Sequence, residues 1–542
     1  TSRIVSGLNM SVIGNSRIAI ARYELRYGDS RLCNPMIRTK ICYARGSSWG
    51  DAAKLRVALN PIRSETLRSE KVGETCTSAS RSKPIEGVRL YVGLPVDAVS
   101  DCNSVNHARA IAAGLKALKL LGVDGVELPI WWGIAQKEAM GKCEWTGYLA
   151  LAEIVQKAGL KLHVSLNFHA SNEPRIPLPE WVSRIGEAEP GIFFMDRSGL
   201  QYKDCLSISV DDLPVLNGKT PVEVYQDFCE DFRSAFSAFM GSTITGVSMS
   251  LGPDGELRYP SFDGPSRGGK VRSSAGEFQC YDRNMLRLLK QHAEATGNPL
   301  WGLGAPHDAP AYHQLPGSCG FLKDQGGSWE TPYGDFFLSW YSAQLLSHCD
   351  RLLSMASAVF REGGSVRVSG KVPLMHSWYR TRSHASELTA GFYNTDRRDG
   401  YEGVADVFGR SSCEMILPGM DLWDGGERRE SLSSPESLVA QIKRSCWRRG
   451  VGVWGQNSRL SGGGFKRIRE SVACDGVVGV FTYQRMGAVF FSPQHFPLFT
   501  EFVRSFSQEG LVEDDRPAEE GGDAQRPRLK SRSAESLMMQ TA

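Results

Sequence analysis

The chain has 542 residues, 41% of them apolar and 23% charged, an ordinary globular usage that excludes a wholly disordered, collagenous or coiled-coil protein. Its 63 Lys and Arg against 60 Asp and Glu leave a formal charge of +3, too small to imply nucleic acid or an anionic membrane as partner. No stretch approaches the ~18 uninterrupted apolar residues of a membrane span, and the 13 Cys lie singly, without the C-x-x-C pairs of a thiolate metal site.

From Thr1 to Lys71 thirteen Lys and Arg stand against five Asp and Glu, with frequent Ser and no long apolar period. That is the composition of an organelle transit segment, expected over residues 1–80. An apolar run, LYVGLPVDAV (90–99), then opens a repeating pattern in which an amphipathic segment meets a Gly-containing turn and a short β-branched run. Residues 106–121 precede GVDGVELPIWW, LALAEIVQKAG precedes LKLHVSLNFH, and VYQDFCEDFRSAFSAFM precedes ITGVSMSLGP. Further on, AVFREGG leads into SVRVSGKVPLMH, FGRSSCE into MILPGMDL, and LVAQIKRSCWRRG into VGVWGQN. Alternating helices and strands imply parallel pairing with right-handed crossovers. With no GxGxxG after the first strand, the expectation is a single large domain, a (β/α)₈ barrel over residues 84–506, rather than a dinucleotide-binding open sheet. Residues 507–542 mix charge with Gly, Pro and Ser, and read as a solvated tail.

Catalytic groups of such a barrel sit where each strand ends. The polar and aromatic residues closing the apolar runs are Trp131 and Trp132, His169, Glu256 with Arg258 and Tyr259, Lys371 with His376 and Trp378, Asp421, and Gln456 with Asn457. Taken singly, each fits a satisfied structural polar group or a packed aromatic. Together, aromatic faces beside hydrogen-bonding groups suit a sugar ring. No three-His cluster, GxSxG elbow or phosphate-cradling loop appears, so no metal and no cofactor is expected.

GPDGELRYPSF, GEFQCYD, FFLSWYS, the run from His376 through TRSHASELTAGFYN, SPESLV and FTYQR resemble signatures of the plant β-amylases, the inverting exo-acting glucan hydrolases of glycoside hydrolase family 14. The resemblance spans roughly residues 87–506 and is nearest to the family's inactive plastid members. It implies a barrel with long loops and release of maltose from the non-reducing ends of α-1,4-glucans by a Glu acid and a Glu base. Inversion needs a protonated carboxyl on one side of the glycosidic oxygen and an ionised carboxylate on the other, with room for a water. Glu256 matches the general acid. At the general base the family reads Glu-Asn-Ala-Leu, and this chain reads Gln456, Asn457, Ser458, Arg459. An amide cannot deprotonate water, and general-base help is worth about 10² to 10⁴-fold.

Three further departures lie in the same pocket. Pro129 stands where the family carries an Asp that holds the reacting sugar. Only ASNEPR separates Phe168 and His169 from IPLP, in place of a Gly-rich lid with its Asp. Leu417, Pro418 and Gly419 replace Phe-Thr-Cys, with Asp421 for a Glu. His169, Lys371, His376, Trp378, Asn457 and Arg485 match glucan contacts of the family, although Ser377 replaces one Trp, whereas Arg258 reads as a structural ion-pair partner of Glu256.

The expectation is a plastid β-amylase-like protein of starch metabolism without significant hydrolysis, binding α-1,4-glucan weakly or an active amylase. The alternatives are a diverged active β-amylase using Glu414, Asp421 or Asp424 as replacement base, and a pure protein-interaction scaffold.

Overall fold

The computed structural model describes residues 87–262, 274–361 and 366–507. The expected transit segment and all but the first residue of the expected tail lie outside them. Eight parallel strands close into one barrel: β1 Arg89–Gly93, β2 Gly125–Trp131, β3 Lys161–Asn167, β4 Ile244–Met249, β5 Arg367–Lys371, β6 Glu414–Leu417, β7 Val453–Gln456 and β8 Val478–Tyr483. Each pairs with its sequence neighbours, and β8 returns to β1 with Leu90 opposite Phe481 and Val92 opposite Tyr483. Helices α1 Ala108–Leu120, α2 Thr146–Lys157, α3 Pro221–Ala235, α4 Pro332–Phe360, α5 Tyr401–Arg410, α6 Pro435–Arg449, α7 Phe465–Ala473 and α8 Phe496–Ser507 follow the strands in turn. The chain thus has the (β/α)₈ barrel that its alternating pattern implies.

Local sequence sets the element ends. At α3 the Thr220 hydroxyl accepts from the Glu223 N–H while the Glu223 carboxylate accepts from the Thr220 N–H, and Pro221 occupies the first turn where no N–H is needed. Helix α6 also starts on a Pro and stops at Gly450, whose φ of 66° suits a residue without Cβ. All seven residues of β2 are buried, as a strand covered by helices outside and lumen inside requires.

Alternation along each strand sends every second side chain into the lumen. Tyr91, Ile416, Trp454 and Val480 form a core cluster there, separate from the helix–barrel layer. The Trp454 ring lies 4.1 Å from His163 and 5.1 Å from the Arg367 guanidinium. The lumen is therefore filled, and the space for chemistry lies at the carboxyl ends of the strands, under the long segments after β3, β4 and β5.

Candidate active site

The first wall of the mouth stands on β3, β4 and β5. After β4 the chain turns through Pro253–Gly255, with Asp254 at φ 54° and Gly255 at φ 77°. A Cβ on Gly255 would sit 3.2 Å from Nε2 of His169, so the glycine lets this turn close on the end of β3. Glu256 then bridges to Lys371 at the end of β5. Its Oε1 lies 3.1 Å from the Lys371 ammonium and its Oε2 accepts from Arg258 Nε at 3.2 Å. Arg258, itself buried, also reaches Asp254 at 2.6 Å, in keeping with the structural ion pair expected of it. The His169 Nδ1 bonds the Ala170 carbonyl at 2.9 Å and its ring meets Trp131 edge-on, centroids 5.2 Å apart. Burial pushes this imidazole below its ordinary value, which favours the neutral ring.

The opposite wall joins β7, β8, β1 and β2. Gln456, buried at the end of β7, donates Nε2 to Oε2 of Glu127 at 3.3 Å. Gln484, just past β8, donates its own Nε2 to the same oxygen. Glu127 is itself buried and shares its strand face with Pro129 and Trp131. The Glu127 carbonyl accepts from the Leu94 N–H. By alternation Pro129 faces the same side, beyond the last paired residue of β1, Gly93, so its missing N–H breaks no ladder bond. Asn457 accepts the Gln484 N–H at 2.6 Å and donates to the Arg459 and Gln484 carbonyls at 3.0 and 2.9 Å. Its amide holds the backbone of this wall. Arg485 donates to the Leu94 carbonyl at 2.6 Å; burial pushes its guanidinium down against the opposing pull of the Glu127 charge.

The structure thus groups Glu256, Lys371 and His169 on one side and Gln456, Asn457 and Arg485 on the other. His376 and Trp378 sit on the segment after β5, where His376 Nδ1 meets the Ser433 hydroxyl at 2.6 Å and the buried Trp378 donates its indole N–H to the Ser274 carbonyl at 3.2 Å. Trp132 and Tyr259 belong to the core: Trp132 packs on Phe168, Trp181 and Tyr225, and Tyr259 stacks on Tyr341 at 3.9 Å.

The replacement bases considered from sequence need correction. Glu414 starts β6 at the far end of the barrel and pairs with Arg367 at 3.0 Å. Asp421 accepts the Ser458 and Arg459 N–H groups at 2.6 and 3.0 Å, and caps the loop after Gln456. Asp424 pairs with Arg380 at 2.7 Å. The carboxylate that touches Gln456 is Glu127. Sequence reasoning passed over it because it stands inside an apolar run; the signal was an acid at a lumen-facing position of GVELPIWW. After His169, Ser171–Asn172 and Arg175–Ile176 pair as a minimal hairpin, with the Ala170 N–H donating to the Asp204 carbonyl. The inner loop after β6 is tied too, its Met420 N–H donating to the Gln456 carbonyl at 3.1 Å.

Among the described residues no three His, Cys, Asp or Glu side chains could hold a metal, and no helix is long and apolar enough to cross a membrane. Residues 91–511 match the model of glycosyl hydrolase family 14. The chain is 55% identical to "Inactive beta-amylase 9" of Arabidopsis thaliana over 520 residues, covering 94% of this chain and 96% of that one. It is 40% identical to "Beta-amylase 2, chloroplastic" of Oryza sativa subsp. japonica, over 78% of each chain, and 36% identical to "Inactive beta-amylase 4, chloroplastic" of Arabidopsis thaliana, over 78% of this chain and 83% of that one. The solved catalytic domain of a β-amylase from Paenibacillus polymyxa shares the fold, with TM-score 0.65 at 24% identity, over 78% of this chain and 99% of that domain.

Proposed function

Because the chain belongs to glycosyl hydrolase family 14, we propose that it is a β-amylase-like pseudoenzyme of plastid starch metabolism that binds the non-reducing end of α-1,4-glucans without hydrolysing them. One observation carries this reading. The strand-7 position that the family resemblance assigns to the general base holds an amide, Gln456, bonded to Glu127, so no carboxylate stands there to take a proton from water. Glu256, Lys371 and His169 keep the opposite wall polar, which supports retained sugar contact. The lost Asp at Pro129 and the minimal hairpin at 171–176 argue for weak affinity. Losing two or three hydrogen bonds at ~0.5 to 1.5 kcal/mol each lowers affinity by roughly one to several factors of ten. The biological role that follows is adaptor or regulator of an active amylase, in the plastid compartment named for several relatives.

A second reading has one observation in its favour: Glu127 is a carboxylate beside Gln456, and a diverged hydrolase would use it as base. Maltose release from soluble starch separates the two. The first reading expects release no greater than that of a Glu256→Gln control, and release well above that control, abolished by Glu127→Gln, establishes the second. Isothermal titration with maltoheptaose tests binding itself, a flat trace overturning the glucan reading.

A further inference from the structure

Two amides, one at the end of β7 and one just past β8, converge on the buried Glu127 carboxylate. Gln456 and Gln484 both turn their N–H₂ groups to Oε2 of Glu127, the arrangement that a carboxylate acceptor asks of an amide. This fixes the amides chemically. With its nitrogen committed to Glu127, Gln456 turns its carbonyl oxygen away from that carboxylate. The partner amide shows the same polarity from the other side: Gln484 Oε1 is buried without a hydrogen bond, pressed against Gly93, where a Cβ would stand 2.2 Å from it. Gln456 projects from the end of β7 on the same strand face as Trp454. Among the described residues nothing donates to its oxygen, and the side chain stands on the lumen face at the carboxyl end of β7, one layer beyond Trp454.

We propose that Glu127 is a positioning residue for glucan binding: its carboxylate locks the Gln456 amide so that Oε1 faces the mouth as a fixed acceptor for a sugar hydroxyl. An amide held this way can accept a hydrogen bond from the sugar and cannot accept its proton. The inference rests on the glucan-binding reading above, and extends it by assigning the element that selects the acceptor face. Without Glu127 the amide can present N–H₂ or C=O to the mouth, and a rotating group loses part of its hydrogen bond on average.

The test is maltoheptaose titration of the full chain and of Glu127→Leu, Glu127→Gln, Gln456→Ala and the double variant Glu127→Leu/Gln456→Ala, each with its melting midpoint. Glu127→Leu is expected to weaken binding about tenfold. Glu127→Gln, which keeps a neutral acceptor, should weaken it about threefold. In the Gln456→Ala background Glu127→Leu should change affinity no further, because Glu127 acts only through that amide. Equal affinity of wild type and Glu127→Leu, or an undiminished effect of Glu127→Leu without Gln456, overturns the positioning role and leaves glucan binding standing. A flat wild-type trace overturns glucan binding itself, and the positioning role with it. If Glu127→Leu fails to fold, Glu127→Gln carries the test, and affinity equal to wild type refutes it.

Discussion

Placing a carboxylate at the proposed base position by Gln456→Glu should fail to give turnover, and the contacts of Gln456 say why. The new carboxylate would stand about where Gln456 Nε2 now lies, 3.3 Å from Oε2 of Glu127. At an effective dielectric of ~20, two like charges at that distance repel by about 5 kcal/mol, and a charge-assisted hydrogen bond of ~1.5 to 3 kcal/mol is lost as well. Binding one proton between the two carboxyls is the cheaper state. Holding that proton at pH 7, against an unfolded Glu value of ~4.3, costs about 1.4 kcal/mol per pH unit, or about 4 kcal/mol. A carboxyl whose folded-state value is raised makes the folded chain the better proton binder. Stability is then near wild type around pH 4, falls as pH rises above the unfolded value, and levels off once the pair ionises fully. For a barrel of this size the deficit at pH 7 is roughly 4–8 °C in the melting midpoint. The assay is thermal unfolding of wild type, Gln456→Glu and Gln456→Glu/Glu127→Gln between pH 4.5 and 8, with maltose release measured alongside. The variant should show a steepening deficit that the second substitution abolishes, and no recovery of turnover. Parallel melting curves at all pH values, or turnover regained by the single substitution, would refute the reasoning.

The same lumen makes an acid-stability prediction. His163 is fully buried, both ring nitrogens lack a partner, and burial with the nearby Arg367 charge pushes its value down to about 3. The unfolded chain therefore binds the extra proton, and stability falls as pH drops below ~6.5, by about 2 kcal/mol from this residue between pH 7 and 5. His163→Phe should flatten that slope, as read by urea unfolding at the two pH values. Asp421→Ala, which strips the cap from the Ser458 and Arg459 N–H groups, should cost about 2–4 kcal/mol and raise hydrogen exchange in the loop after Gln456. Thr220→Ala removes one half of the capping box of α3 and should cost about 1 kcal/mol, with no effect on maltoheptaose titration.

The barrel was legible because its signals are local and repeated: each amphipathic stretch followed by a Gly turn and a β-branched run became a helix and the next strand. The clustering of Glu256 with Arg258 and Lys371 was legible too, since they sit on recognisable motifs and the structure joins them by ion pairs. Glu127 was not. Its partners Gln456 and Gln484 are 329 and 357 residues away in sequence, and only closure of β8 on β1 brings those strands together. Chain proximity to Gln456 pointed to Glu414, Asp421 and Asp424, whose carboxylates are spent on Arg367, on loop N–H groups and on Arg380. Trp132 and Tyr259 show the converse: an aromatic beyond a strand end, one residue past β2 or ten past β4, can pack into the core among other aromatics, and the end of an apolar run does not say which face it takes.

Loss of a base by substitution of one residue would leave an amide among groups arranged for a carboxylate, and returning the carboxylate would then return the function. That is not the arrangement here. The acidic charge on this wall belongs to β2 rather than β7, the amides of β7 and β8 are turned to serve it, Asn457 ties the same two segments through the backbone of Gln484, and the Met420 N–H ties the inner loop to the Gln456 carbonyl. Buried polar groups that share an acceptor are coupled, so their replacements do not add. On the reading proposed above, any route to hydrolysis has to change Glu127 together with Gln456, at a mouth where Pro129 offers no side-chain acceptor and residues 171–176 form only a minimal hairpin.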